Sequence, residues 1–201
     1  MKHRQRHPNE MQYSMDVELS SRELLSIGKI VALWGSLEYE IFCQTLMSFG
    51  TKTLPKEMSN LQFSPVLTLW EARVVNKAVS KCKGVLLEQC KRIRYCLDFR
   101  NALVHGMWDW SLAAPEKITA IRVRKKEVVR AHFTADDLES LASELATINF
   151  NVRYPGGSEE YVTAMAERGA HLSRRGVCLL TGNPLVDDLL QSFRPKDREK
   201  V

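Results

Sequence analysis

Apolar residues recur every three or four positions in four long stretches of the chain, which is the spacing of an amphipathic helix. The stretches cover residues 21–49, 64–82, 85–105 and 134–150. In the first stretch the apolar residues are Leu24, Ile27, Val31, Trp34, Ile41 and Phe42. The pattern predicts four helices that each bury one face, so the expected fold class is mainly α, with the helices packed as a bundle.

Glycine and capping residues predict where these helices begin and end. Gly50 follows the first stretch, and Gly84 separates the second stretch from the third. Gly106 comes directly after the third stretch and is expected at the C-terminal end of that helix. Thr134, with Asp137 three residues later, resembles an N-cap followed by a first-turn acid, and it predicts the start of the fourth helix.

A two-residue period replaces the helical pattern at residues 117–133. Apolar positions on either side of a charged centre are Ile118, Ile121, Val123, Val128, Val129 and Phe133. Two strands joined by a tight charged turn are the simplest interpretation, so a β-hairpin is expected before the last core helix.

These elements divide the chain into three parts. Residues 1–20 are expected to be a basic, flexible N-terminus, and residues 21–152 to be the helical bundle with its hairpin. Residues 153–201 are expected to be a small C-terminal appendage with short helices at residues 159–171 and 185–193.

Composition narrows the protein class and its location. The chain has 201 residues, of which 44% are hydrophobic, enough for one domain with an appendage. Its five cysteines are odd in number and form no CxxC pair, which favours reduced thiols in the cytoplasm. No segment has the length of apolar sequence that a signal peptide or membrane span needs, so no membrane partner is expected. The formal charge of +5 is compatible with a polyanionic partner such as RNA without requiring one.

The stretch FRNALVHGMW places Arg100, Asn101 and His105 in an otherwise apolar helical run. Asn101 and His105 are four residues apart and share one helix face, whereas Arg100 and His105 start about 140° apart around the axis. Arg100 and His105 therefore converge only if the arginine curls, if the last turn loosens, or if a second chain supplies its own copy. The alternative is that both residues simply solvate and cap a helix end.

The chemistry available to this trio is transesterification of an RNA phosphodiester. An imidazole moves protons near neutral pH, and a guanidinium stabilises the charge of the transition state. The Asn101 amide can hold the ring or donate to phosphate, so neither a metal nor a cofactor is needed. One histidine per chain does not easily act as both acid and base, so two copies across a homodimer are the economical arrangement. The other histidines and the cysteines lack metal-ligand spacing, and no metal site is expected.

Other polar and aromatic residues accompany the motif. Glu38 falls at the centre of the first apolar stripe. There it either reaches the end of the bundle, forms a salt bridge with a neighbouring helix, or orients an arginine such as Arg100 in a site. A basic group on the hairpin, which is either an RNA-backbone surface or a solvated strand edge, comprises Arg122, Arg124, Lys125, Lys126 and Arg130. Trp108 and Trp110 follow the motif and either line the proposed cleft or a dimer interface, or simply pack in the core.

The segment RNALVH at the end of an amphipathic helix resembles the signature of the HEPN superfamily, in which an arginine followed by a polar residue, often asparagine, precedes a histidine by a few residues. The segment WGSLEYEIF in the first helix is also similar to that of such domains. The resemblance implies a four-helix bundle, commonly dimeric, and a metal-independent endoribonuclease in RNA processing, toxin–antitoxin or defence systems, with an antitoxin or other protein as a further partner. It assigns acid–base chemistry to His105, phosphate binding to Arg100 and a supporting role to Asn101. Some members lack catalysis, so the alternative is a module that binds RNA, nucleotide or a partner protein.

Overall fold

A computed structural model describes residues 18–50, 53–59, 62–124, 127–170 and 174–182, and this part of the chain is mainly helical with one small antiparallel sheet. The helices are α1 (Ser21–Met47), α2 (Lys56–Ser59), α3 (Phe63–Arg73), α4 (Ser80–His105), α5 (Ala135–Arg153), α6 (Ser158–Glu167) and α7 (Arg174–Thr181). The strands are β1 (Met107–Ser111), β2 (Ala114–Arg124) and β3 (Glu127–Phe133). A single 3-10 turn at Val75–Lys77 lies between α3 and α4.

Side-chain caps explain where α1 and α5 begin. Thr134 accepts a hydrogen bond from the backbone N–H of Asp137, and the Asp137 carboxylate accepts one from the backbone N–H of Thr134. These bonds from Thr134 lower the pKa of Asp137. Ser20 and Glu23 form the same reciprocal pair before α1. Each reciprocal pair, or capping box, satisfies N–H groups that the start of a helix leaves without partners. The predicted start of the helix at Thr134 is confirmed.

The boundary between α3 and α4 differs from the expectation. Gly84 was expected to separate two helices, but it lies inside α4, where it is exposed and a Cβ would meet nothing within 4 Å. Glycine at such a position costs only about 1 kcal/mol, so the helix continues through it. The break comes earlier, after Arg73, and the extended backbone of Val79 ends it. Gly50, by contrast, follows α1 as predicted and has φ +58°.

The core lies between α1, α3, α4 and α5. On α1 the buried positions Ile30, Trp34, Leu37 and Ile41 recur at helical spacing. The largest fully buried partners from the other three helices are Leu67, Trp70, Ile93, Leu138, Leu145 and Ile148. Burial of these side chains is the main stabilising contribution to the fold.

The sheet has three strands in the order β1-β2-β3, so the predicted hairpin at residues 117–133 is incomplete. β2 already begins at Ala114, and β1 pairs with it antiparallel, which places Trp108 opposite Ala120 and Trp110 opposite Ile118. Ala120 and Ile118 are buried, and Trp108 is half-buried against the core. The sheet therefore packs on the helical core mainly through β2, with Trp108 of β1 beside it.

The C-terminal appendage is described in part. α6 matches the short helix expected at residues 159–171, although it ends at Glu167, and α7 was not predicted. The helix expected at residues 185–193 and most of the predicted N-terminus, residues 1–17, lie outside the described residues. None of the helices in the described ranges is long and apolar enough to cross a bilayer.

The five cysteines are all free thiols, as predicted. Cys90 and Cys96 are buried on α4, and this burial raises the pKa of each to about 11. Both thiols therefore stay protonated at neutral pH and contribute as small apolar core residues.

Candidate functional site

The last turns of α4 carry all three polar residues of the motif. Arg100 and Asn101 are half-buried, and His105, the final residue of the helix, is exposed. Their neighbours Ala102 and Leu103 are buried and fix the orientation of this part of the helix against the core. The motif thus lies on a rigid helix whose next residues enter the sheet.

Three contacts hold the Arg100 guanidinium. One terminal nitrogen donates to Asn101 Oδ1 at 3.1 Å, and the other lies 3.7 Å from Glu38 Oε1 on α1. The guanidinium carbon is also 5.7 Å from the centre of the Trp34 ring, within the range of a cation–π contact. Arg100 is therefore positioned by a carboxylate, an amide and an aromatic ring.

Glu38 links Arg100 to the core of the protein. Its Oε1 accepts a hydrogen bond from Trp34 Nε1 at 2.6 Å, and the Trp34 side chain is buried. The side chains of Arg100 and Glu38 are 22% and 35% exposed, so the pair is shielded from water without being fully buried. Glu38 on α1 therefore meets Arg100 on the neighbouring helix α4. The role of this pair in a catalytic site stays a prediction.

His105 is available to a ligand. Its side chain is exposed and makes no hydrogen bond to any residue in the described part of the chain. It lies one helical turn from Asn101 on the same face, whereas no contact joins it to Arg100. Within one chain, Asn101 therefore lies between the two groups: it accepts a hydrogen bond from Arg100 and is one helical turn from His105.

A surface cleft of about 310 Å³, which the helical periodicity did not predict, borders this cluster at Glu38. It is lined by Gly35, Glu38, Tyr39, Phe42, Phe63 and Val66. Helical spacing on α1 gives four of these residues one face, but only the packing of α3 on α1 brings Phe63 and Val66 opposite them. The only sign of the cleft in the sequence is the helical spacing of its α1 residues within WGSLEYEIF.

The basic group proposed from the sequence is described in part. Arg130 on β3 is exposed and pairs with Ile121 of β2 in the sheet register. Arg122 and Arg124 belong to β2, but their side chains are not described, and Lys125 and Lys126 lie outside the described residues. Trp108 packs against the core, so most of its ring is withdrawn from the surface. Among the described residues, no group of His, Cys, Asp and Glu has the arrangement of a metal site.

Comparison of the chain with protein-family models, with curated proteins and with solved structures finds no match to any of them. The function is therefore inferred from the motif, its geometry and the surface around it.

The position directly after His105 is occupied by Gly106, and the structure leaves no room there for a side chain. Its backbone is extended, with φ −79° and ψ 153°, which any residue can adopt. A Cβ added there would lie 2.3 Å from the carbonyl oxygen of Ala102 and 3.2 Å from the Cβ of Ala120. The close approach of β2 to the end of α4 thus depends on this glycine.

Replacing Gly106 by alanine is expected to lower the free energy of unfolding by about 1–3 kcal/mol, because the end of α4 and β2 must move apart. Urea denaturation measures the change. Gly84→Ala is the matched control on the same helix, where open surroundings should let alanine raise the stability by up to about 1 kcal/mol. Changes of the same sign in both variants would contradict the steric account.

Proposed function

We propose that this protein is a metal-independent endoribonuclease built on a four-helix bundle of the HEPN type, formed by α1, α3, α4 and α5. The observation that carries the proposal is an exposed His105 at the end of α4, one turn from Asn101, on a helix whose Arg100 is already oriented by Glu38. An imidazole without a hydrogen-bond partner in the described chain and a positioned guanidinium at the same helix end are the groups that metal-free phosphodiester cleavage requires. The reduced cysteines favour a cytoplasmic activity, in a bacterial defence or toxin–antitoxin context.

The reaction proceeds by attack of the RNA on its own backbone. His105 accepts the proton of a 2′-OH, the 2′ oxygen forms a bond to phosphorus, and the bond from phosphorus to the 5′ oxygen breaks. The leaving oxygen takes a proton from a second imidazole, which leaves a 2′,3′-cyclic phosphate and a 5′-OH. Arg100 stabilises the charge on the non-bridging oxygens, and Asn101 donates to the phosphate or steadies the ring.

A homodimer supplies the second imidazole in this proposal. Arg100 and His105 start about 140° apart around α4 and make no contact with each other, so in this proposal a second copy places a histidine opposite an arginine. Val104 and Met107, on either side of His105, are 39% and 66% exposed, and they offer apolar surface for such a contact. Arg130 and the net charge of +5 favour RNA over a neutral substrate.

The proposal is tested by incubating purified protein with total RNA and tRNA in EDTA. We expect cleavage that persists in the chelator, and fragments that end in a 2′,3′-cyclic phosphate. An oligonucleotide with 2′-deoxy residues at the cleaved positions is the matched control, and it should remain intact because it lacks the nucleophile. RNA binding without cleavage would instead identify a non-catalytic binding module.

A further inference from the structure

The cleft beside Arg100 has the size and lining of a small aromatic-ligand site. Its volume of about 310 Å³ is at the lower end of the range of small-molecule pockets, about 300–1,000 Å³. Three aromatic side chains, Tyr39, Phe42 and Phe63, contribute to its walls. Tyr39 is 70% exposed, so its ring presents a large free surface at the mouth of the cleft.

Gly35 leaves the cleft open on the α1 side. A Cβ built at this glycine meets no atom within 4 Å, so nothing else in the described chain fills the space above it. Gly35, Glu38, Tyr39 and Phe42 are three or four residues apart and share one face of α1. A flat ring can therefore lie along this face between Tyr39 and the side chains that α3 contributes.

Glu38 supplies the polar wall of the cleft. Its Oε1 accepts from Trp34 Nε1 and faces Arg100, whereas its Oε2 makes no hydrogen bond within the described residues. An ionised carboxylate has room for about four hydrogen bonds and donates none. A ligand in the cleft that carries an amino group would satisfy the second oxygen.

We propose that this cleft binds one unpaired nucleobase with an exocyclic amino group, from the nucleotide whose phosphate contacts Arg100. Unpaired RNA bases are commonly stacked on aromatic side chains and recognised by hydrogen bonds along their edges. Because Glu38 lies both in the cleft and 3.7 Å from Arg100, one nucleotide can reach both groups. This inference rests on the proposed function and adds a base preference to it.

Nucleotide binding tests the cleft without requiring cleavage. The probes are the 5′-monophosphates of cytidine, uridine, guanosine and inosine, titrated into wild-type protein by calorimetry. Guanosine differs from inosine only by the exocyclic amino group, and cytidine has an amino group where uridine has a carbonyl oxygen beside a protonated N3. We expect the amino-bearing member of each pair to bind several-fold more tightly.

Gly35→Leu is expected to weaken binding of cytidine and guanosine monophosphates at least about ten-fold, because the leucine occupies the space of the stacked base. Gly28→Leu is the matched control. Gly28 is also exposed on α1 with nothing within 4 Å of a Cβ, but it does not line the cleft. Both variants remove a helical glycine and should fold at least as well as wild type, which circular dichroism checks. Tyr39→Ala is a second variant at an exposed residue and should also weaken binding.

The proposal is overturned if wild type binds none of the four nucleotides, if the amino group makes no difference, or if Gly35→Leu and Gly28→Leu bind alike. It is also overturned if Gly35→Leu changes the sedimentation of a dimer but leaves nucleotide binding intact, since the cleft would then be a contact between two copies. Failure of the two proposals can be told apart. If the protein binds amino-bearing nucleotides but cleaves no RNA, the base site is supported and the proposed ribonuclease activity is contradicted. If the protein cleaves RNA and Gly35→Leu leaves both cleavage and nucleotide binding unchanged, the ribonuclease activity is supported and the base site is contradicted.

Discussion

Replacing His105 by alanine is expected to reduce RNA cleavage by about 100- to 10,000-fold, the usual contribution of a general acid or base. The loss should come with almost no change in folding, because the His105 side chain is exposed and makes no hydrogen bond within the described chain. A surface substitution of this kind changes the free energy of unfolding by about 0.5 kcal/mol or less. Single-turnover cleavage of a labelled RNA in EDTA, together with urea denaturation, measures both quantities.

His132→Ala is the matched control for this prediction. His132 is also exposed, and it lies on β3, where Nδ1 is 2.9 Å from Thr119 Oγ1. Its removal should leave cleavage within about two-fold of wild type, since general acid–base catalysis depends on the one positioned imidazole. Arg100→Ala should lose activity as His105→Ala does. Equal activity of His105→Ala and wild type would exclude the proposed mechanism.

Trp34→Ala is expected to lower the free energy of unfolding by about 3–5 kcal/mol, which is a large share of the stability of a domain of this size. Trp34 is only 1% exposed and packs edge-to-face against Phe63, with ring centres 5.4 Å apart. Its removal also leaves Glu38 without its indole donor. Chemical denaturation monitored by circular dichroism measures the loss.

Trp34→Phe separates the two roles of this side chain. The smaller ring fills most of the space, so the stability should fall by only about 1–2 kcal/mol, while Glu38 loses its hydrogen bond and holds Arg100 less firmly. Cleavage should therefore fall more than stability does. Trp110→Ala, at a tryptophan that is 42% exposed, should cost less than about 1 kcal/mol. A similar loss of stability at both tryptophans would contradict the assignment of Trp34 to the core.

Helix boundaries were predictable from sequence where the deciding contacts are local. The Thr134 and Asp137 cap acts across three residues, and the positive φ of Gly50 is a property of one residue. The end of α3 has no such signal, because the turn from Arg73 to Val79 contains neither glycine nor proline. Gly84 was the more conspicuous residue, yet helix formation through an exposed glycine costs little.

The sequence pattern did not predict β1, because this strand is recognised mainly by its pairing with β2. Its five residues are too few for a strong period, although the alternation of Trp108 and Trp110 with Asp109 and Ser111 is typical of a strand. Only the register with β2 shows that the two tryptophans face the core side of the sheet. Because β1 was not predicted, the sequence indicated a two-stranded hairpin where the structure has three strands.

The candidate site was predictable in its residues but not in its arrangement. The stripe on α1 placed Glu38 among core positions, but no periodicity states which helix lies opposite. That Arg100 meets Glu38, and that His105 does not, follows from the packing of α4 against α1. The aromatic cleft needs Phe63 from α3 as well, so a single helix could not reveal it.

The direct junction between α4 and β1 limits how this protein can change in length during evolution. Only Gly106 separates His105 from the strand. Because side chains alternate along a strand, one residue gained or lost here would turn Trp108 and Trp110 away from the helices or rotate His105 around its axis. Insertions and deletions should therefore accumulate in the exposed turn at residues 112–113, and related chains should preserve the distance in sequence from His105 to the two tryptophans.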